Sequence, residues 1–157
     1  MTRVQIRSFV RNDDGSFLEI GDVAAHPGDC MYIPGAVSFT VDGVELFGLD
    51  LWDDVNWLWP LMVHAFADCR STGSGKRGFP DQPISITAER AWADHTLIRV
   101  TDGAAINRSA VAPDGELFES LAVAGAEFFR ELGRLCPEDP IGQQEQEILA
   151  SWLGRGG

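Results

Sequence analysis

Lysine is nearly missing from this 157-residue chain: Lys76 is the only one, and the other eleven basic residues are arginine. Positive charge of any kind is missing from one long interval. No Lys or Arg lies between Arg11 and Arg70, and the eleven acids and no base of that interval carry −11 of a net −12. Direct nucleic-acid binding is not expected, because nothing there would release counterions from a phosphate backbone. A self-repelling soluble surface or a basic partner fits instead. No apolar run approaches the ~18–20 residues of a membrane span, so no membrane partner is expected. The N-terminal MTRVQIRSFVRNDDG has arginines but no continuous apolar core, which argues against a signal peptide. Cysteines are few, odd in number and far apart: Cys30, Cys69 and Cys136. That pattern points to reduced thiols in a cytoplasmic protein rather than a disulfide framework.

Catalytic signatures are missing too. There is no G-x-S-x-G elbow and no C-x-x-C pair. GSGK at 73–76 lacks the glycine five residues before its Gly-Lys pair and the Ser or Thr after it. Arg70 and Arg77 stand there instead, so a phosphate-binding loop is rejected. His64 and Asp68, four apart on an expected helix, make at most half a metal site, and no second pair at ligand spacing completes it. His95 follows Asp94 in a loop between strands, but adjacency supplies no nucleophile. No cofactor and no metal are expected, and no catalytic residue is assigned.

What is present describes one globular α+β domain over residues 1–157, with a frayed tail from about residue 154. The 45% hydrophobic and 23% charged content place it with folded rather than disordered chains. The N-terminal third reads as strands joined by turns at NDDG (12–15), HPGD (26–29) and IPG (33–35). AVSFTV and VELFGL flank Asp42-Gly43, a dipeptide suited to a type I′ turn. That register sets Val41 opposite Val44, Phe39 opposite Leu46 and Val37 opposite Gly48 on a core face, with Phe47 on the mixed face. A helix then runs from Asp53 or Asn56 to about Cys69. Its core stripe is Val55, Leu58, Met62, Ala65, Phe66 and Cys69. If Asn56 caps it, Pro60 falls in the first turn, where its missing N–H has no partner, and Trp52, Asp53 and Asp54 stay on the entry loop. If Asp53 caps it, those three residues wind into the helix.

RSTGSGKRGFPDQP (70–83) reads as a polar loop. PISITAERAW (83–92), TLIRVT (96–101) and AAINRSAVA (104–112) alternate as a three-stranded meander, the last two joined at Asp102-Gly103. Arg90, Arg99 and Arg108, one per strand, would form a basic patch if the register aligned them. A second helix from Asp114, its expected N-cap, to Cys136 buries Leu117, Leu121, Ala124, Phe128, Leu132 and Leu135, with Phe118 and Phe129 beside them. Asp139-Pro140 would open a short last helix that buries Ile141, Ile148, Leu149, Trp152 and Leu153. The elements satisfy an antiparallel sheet of about six or seven strands with helices packed on one face.

The remaining signal is DLWDDVNWLWPLMVHAF (50–66), which joins Trp52, Trp57 and Trp59 to Asp50, Asp53 and Asp54. Three tryptophans so close are hard to bury in one direction, so at least one belongs at the edge. Tryptophan beside acid suits a partner that carries arginine or lysine. In size, charge and segment order the chain resembles the immunity proteins that bacteria keep against their own toxins, and VELFGLDLWDDVNWLWPLMVHAF carries the resemblance best. The resemblance implies a non-enzymatic inhibitor of a toxin with a basic surface, with Glu45, Asp50, Trp52, Asp53, Asp54 and Trp57 meeting it. Two other readings stand beside it. One is a secretion-type chaperone, usually dimeric, that binds an effector segment. The other is a small enzyme or ligand-binding protein whose pocket gathers His64, Asp68, His95 and the three arginines.

Overall fold

Asp42 and Gly43 both take positive φ, 50° and 81°, the pairing that a type I′ turn requires. They join two strands of the first of two antiparallel sheets. The computed structural model describes residues 3–26, 28–138 and 141–153. Sheet one contains β1 (Val4–Arg11), β2 (Phe17–Glu19), β3 (Pro34–Val41) and β4 (Val44–Phe47) in the order β2-β1-β3-β4. The two-residue β5 (Asp53–Asp54) pairs with the start of β3. Helix α1 (Val55–Thr72) follows. Sheet two is β6 (Ser74–Gly78), β7 (Ser85–Trp92), β8 (His95–Thr101) and β9 (Asn107–Pro113) in sequence order. The long α2 (Asp114–Leu135) and short α3 (Gln143–Ser151) complete the chain. The α+β class stands, with the strands divided five and four between two sheets rather than gathered in one.

Helix α1 touches both sheets and both other helices, so it forms the centre of the core. Every residue of its expected stripe is buried, and Asn56, Trp59 and Val63 join them. Trp59 is fully buried. Its ring stacks on Phe128 of α2, and its Nε1–H donates to Ser8 Oγ of β1 at 2.9 Å. An indole needs such an acceptor when it leaves water, and Ser8 supplies it. Helix α2 buries Leu117, Phe118, Leu121, Ala122, Phe128, Phe129 and Leu132, while Ala124 and Leu135 are partly covered. Leu149 and Trp152 of the last helical segment are buried, Ile141 and Ile148 partly so, and Leu153 is exposed. The expected cap at Asp139-Pro140 lies outside the described residues.

Several expectations give way. The first hairpin pairs Val41 with Val44, but a bulge between Phe39 and Thr40 then sets Phe39 against Phe47 instead of Leu46. Both Leu46 and Phe47 are thereby buried, and Val44 faces out. The 70–83 segment is not all loop: β6 pairs with β7 along its length. Gly75 makes that possible, since a Cβ there would lie 2.0 Å from the Ala65 carbonyl oxygen of α1. Asp114 is the first residue of α2 rather than its cap, and its carboxylate accepts from Thr96 Oγ1 at 2.7 Å. The arginines do not align. Arg108 pairs with Val100 and Arg90 with Thr96 on the core side of sheet two, at opposite ends, while Arg99 sits on the other face near Glu89. The free-thiol expectation also fails for two of three cysteines. Cys30 and Cys136 form a disulfide across 106 residues, and Cys69 alone is a buried free thiol. Spacing along the chain carried no sign that the α2 terminus returns to the Cys30 turn.

Candidate interface at the start of helix α1

Helix α1 begins at Val55, between the two expected starts, with Asp54 at the N-cap position. Trp52, Asp53 and Asp54 therefore precede the helix. Pro60 falls inside it at the sixth helical residue, where it offers no N–H to the Asn56 carbonyl. Adjacent residues here have opposite environments. Asp53 is 3% exposed, and its carboxylate accepts the backbone N–H groups of Asp54, Asp81 and Gln82 at 2.7–3.2 Å. Those bonds hold the 80–82 turn against the helix start. Asp54 instead makes no side-chain capping bond and stays partly exposed. Burial, and then the neighbouring charges of Asp53 and Asp81, raise its carboxyl above the ordinary aspartate range.

Asn56, a candidate N-cap from sequence, is instead the second helical residue, fully buried, and it organises the opposite wall. Its Oδ1 accepts Ile33 N–H at 3.0 Å, and its Nδ2 donates to the carbonyls of Cys30 and Met31 at 3.2 and 2.9 Å. Trp57 Nε1–H donates to the same Met31 carbonyl at 2.7 Å. The Cys30–Tyr32 segment is thus pinned to α1 by three hydrogen bonds and to the end of α2 by the disulfide. Tyr32 and Trp57 are held outward, 58% and 43% exposed. Between them and Asp54, Pro60, Leu61, His64, Pro80 and Asp81 lies an open depression of about 550 Å³.

The comparisons add no template. No protein-family model, no curated protein and no solved structure matches the chain.

The residues expected to meet a partner divide. Asp54 and Trp57 line the depression. Asp53 is internal and already occupied. Trp52 is 36% exposed, but its ring lies under the Arg11 guanidinium at 4.2 Å, and its carbonyl accepts from Gln82 Nε2. Asp50 is exposed and paired with Arg108 at 2.8 Å. Glu45 is exposed on β4, away from the depression, beside Gly48. Tyr32 and Asp81 belong to the site and were missed; each lies in a turn whose place depends on tertiary contacts. The polar constellation expected of a pocket does not assemble. His64 Nε2 contacts Glu145 of α3 at 2.7 Å, Asp68 pairs with Arg77 at 2.9 Å, and His95 stacks on Trp92.

Four acids of the lysine- and arginine-free interval are paired with arginines from outside it: Glu19 with Arg7, Asp42 with Arg3, Asp50 with Arg108 and Asp68 with Arg77. Exposed pairs of this kind contribute ~0–1 kcal/mol each, but they neutralise the surface locally. Among the described residues, neither Asp54 nor Asp81 has an arginine or lysine partner. At the depression, carboxylates without a basic partner adjoin exposed aromatic rings.

Proposed function

We propose that the chain is a non-enzymatic, acidic protein-binding module, an immunity-type protein that neutralises a toxin through that toxin's basic surface. One observation carries the reading: Trp57 and Tyr32 stand exposed beside two carboxylates that lack a basic partner among the described residues. Trp57, held by its Nε1–H bond to the Met31 carbonyl, loses little freedom on binding, and aromatic anchors dominate interface energies. The acidic interval around them would steer a basic partner and speed its approach more than it would hold the complex. The compact depression suits an inserted side chain better than the extended segment that a secretion chaperone would take. Among the described residues no helix is long and apolar enough to cross a membrane. The Cys30–Cys136 bond favours an oxidising compartment over the cytoplasm that the cysteine count suggests.

Co-expression with the product of the adjacent gene tests the reading. The expected result is a stable complex that forms faster at low salt and is weakened at least tenfold by Trp57→Ala. Failure to form a complex at both low and physiological salt would count against it.

A further inference from the structure

We propose that the depression at the start of α1 is a receptor for one arginine side chain, presented by the partner. This rests on the protein-binding reading and specifies the group recognised. The site has three chemical parts. Pro60 and Leu61 contribute apolar lining, Tyr32 and Trp57 aromatic rings, and Asp54 and Asp81 carboxylates. A wholly apolar occupant would leave the carboxylates dehydrated without compensation. A bare metal ion would use the cluster of Asp53, Asp54 and Asp81, whose ligand oxygens lie within 4.8 Å of one another. Asp53, however, already accepts three backbone N–H groups. An organic cation uses both the aromatic rings and the carboxylates. A guanidinium fits better than an ammonium because it is planar, stacks on aromatic faces, sheds water more readily and bridges carboxylates with several donors.

One of the chain's exposed rings is already covered in this way: Arg11 lies over Trp52 at 4.2 Å. Among the described residues no such guanidinium covers Trp57. A partner's arginine would complete at Trp57 the arrangement that Arg11 completes at Trp52. The depression, about 550 Å³, has room for an arginine side chain.

The test is a titration of isotope-labelled protein with two blocked tripeptides, acetyl-Gly-Arg-Gly-amide and acetyl-Gly-Lys-Gly-amide, followed through the Trp57 indole N–H. The expected result is saturable movement of that signal and of the Asp54 and Asp81 amides, with the arginine peptide at least fivefold tighter. Asp54→Asn and Asp81→Asn should each weaken the arginine peptide at least threefold and bring it toward the lysine peptide. Far-ultraviolet circular dichroism of both variants keeps loss of folding distinct from loss of binding. Equal affinity for the two peptides, or shifts confined to other surfaces, would overturn the proposal. If the partner complex forms and needs Trp57 while neither peptide binds, the arginine receptor fails and the protein-binding reading stands. If the arginine peptide binds here and no partner complex forms, the reverse holds.

Discussion

Asp53 turns inward and Asp54 outward, so two neighbours of identical chemistry contribute differently. The Asp53 carboxylate satisfies three backbone N–H groups in a buried site. Asp53→Ala leaves those donors unpaired, and the expected loss is about 2–3 kcal/mol by urea denaturation, with the 80–82 turn losing hydrogen-exchange protection. Asp54 behaves in the opposite sense. Its carboxyl is raised by burial and by Asp53 and Asp81, with Tyr32 and His64 facing the same depression. Between the unfolded and folded values the folded protein holds more of the proton, so the stability contributed by Asp54 falls as pH rises through that window. Asp54→Asn is therefore expected to melt higher than the parent at neutral pH. The difference should close as pH falls below the ordinary aspartate value of 3.8. A residue that costs stability while lining a surface depression is what a binding site retains. The Asp-Asp dipeptide did not show which of the two would be buried, because both helix starts treated them alike, on the entry loop or in the helix.

Helices and hairpins were legible where local periodicity decided them. The α1 and α2 stripes and the Asp42-Gly43 turn follow from spacing and from φ preference. Strand β6 was not, because SGKRG has neither alternation nor β-branched residues. It is a strand because β7 offers a ladder and Gly75 lets the backbone approach α1. Gly75→Ala places a methyl 2.0 Å from the Ala65 carbonyl oxygen, so β6 must move. The expected cost is about 2 kcal/mol or more, with loss of amide protection across β6 and little change in sheet one. The α1 start shows the same division. Pro60 signalled a choice of starts from sequence, but the start at Val55 is set by the pairing of β5 with β3 and by Ile33, whose carbonyl accepts Val55 N–H. Asn56 lies on the stripe of Trp59, Val63 and Phe66, and a polar residue on an apolar stripe was the available sign of its buried role.

Across the whole molecule, the C-terminal end of α2 returns to the segment that precedes β3. Arg134 of α2 donates to the Ile20 carbonyl at 3.1 Å, and Cys136 binds Cys30 two residues before Tyr32. The long α2 thereby braces the segment that forms one wall of the depression. Closing a loop of this length restricts the unfolded chain, so the double variant Cys30→Ser, Cys136→Ser is expected to lose about 2–5 kcal/mol in chemical denaturation. Reduction should have the same direction and should loosen Tyr32 before the core opens. The cross-link was not legible because 106 residues separate its cysteines and only the completed packing brings them together. The acidic balance was legible as a partner preference, but its location was not. Arginines from outside the interval neutralise Glu19, Asp42, Asp50 and Asp68, and the depression keeps Asp54 and Asp81 uncovered among the described residues. A basic protein is proposed to bind there. The most direct measurement is calorimetric titration of the adjacent gene's product into the parent protein and into Trp57→Ala, at two salt concentrations. The expected result is a one-to-one complex, weaker at high salt and at least tenfold weaker for Trp57→Ala. A complex of unchanged affinity in that variant, or no heat of binding at either salt concentration, would contradict it.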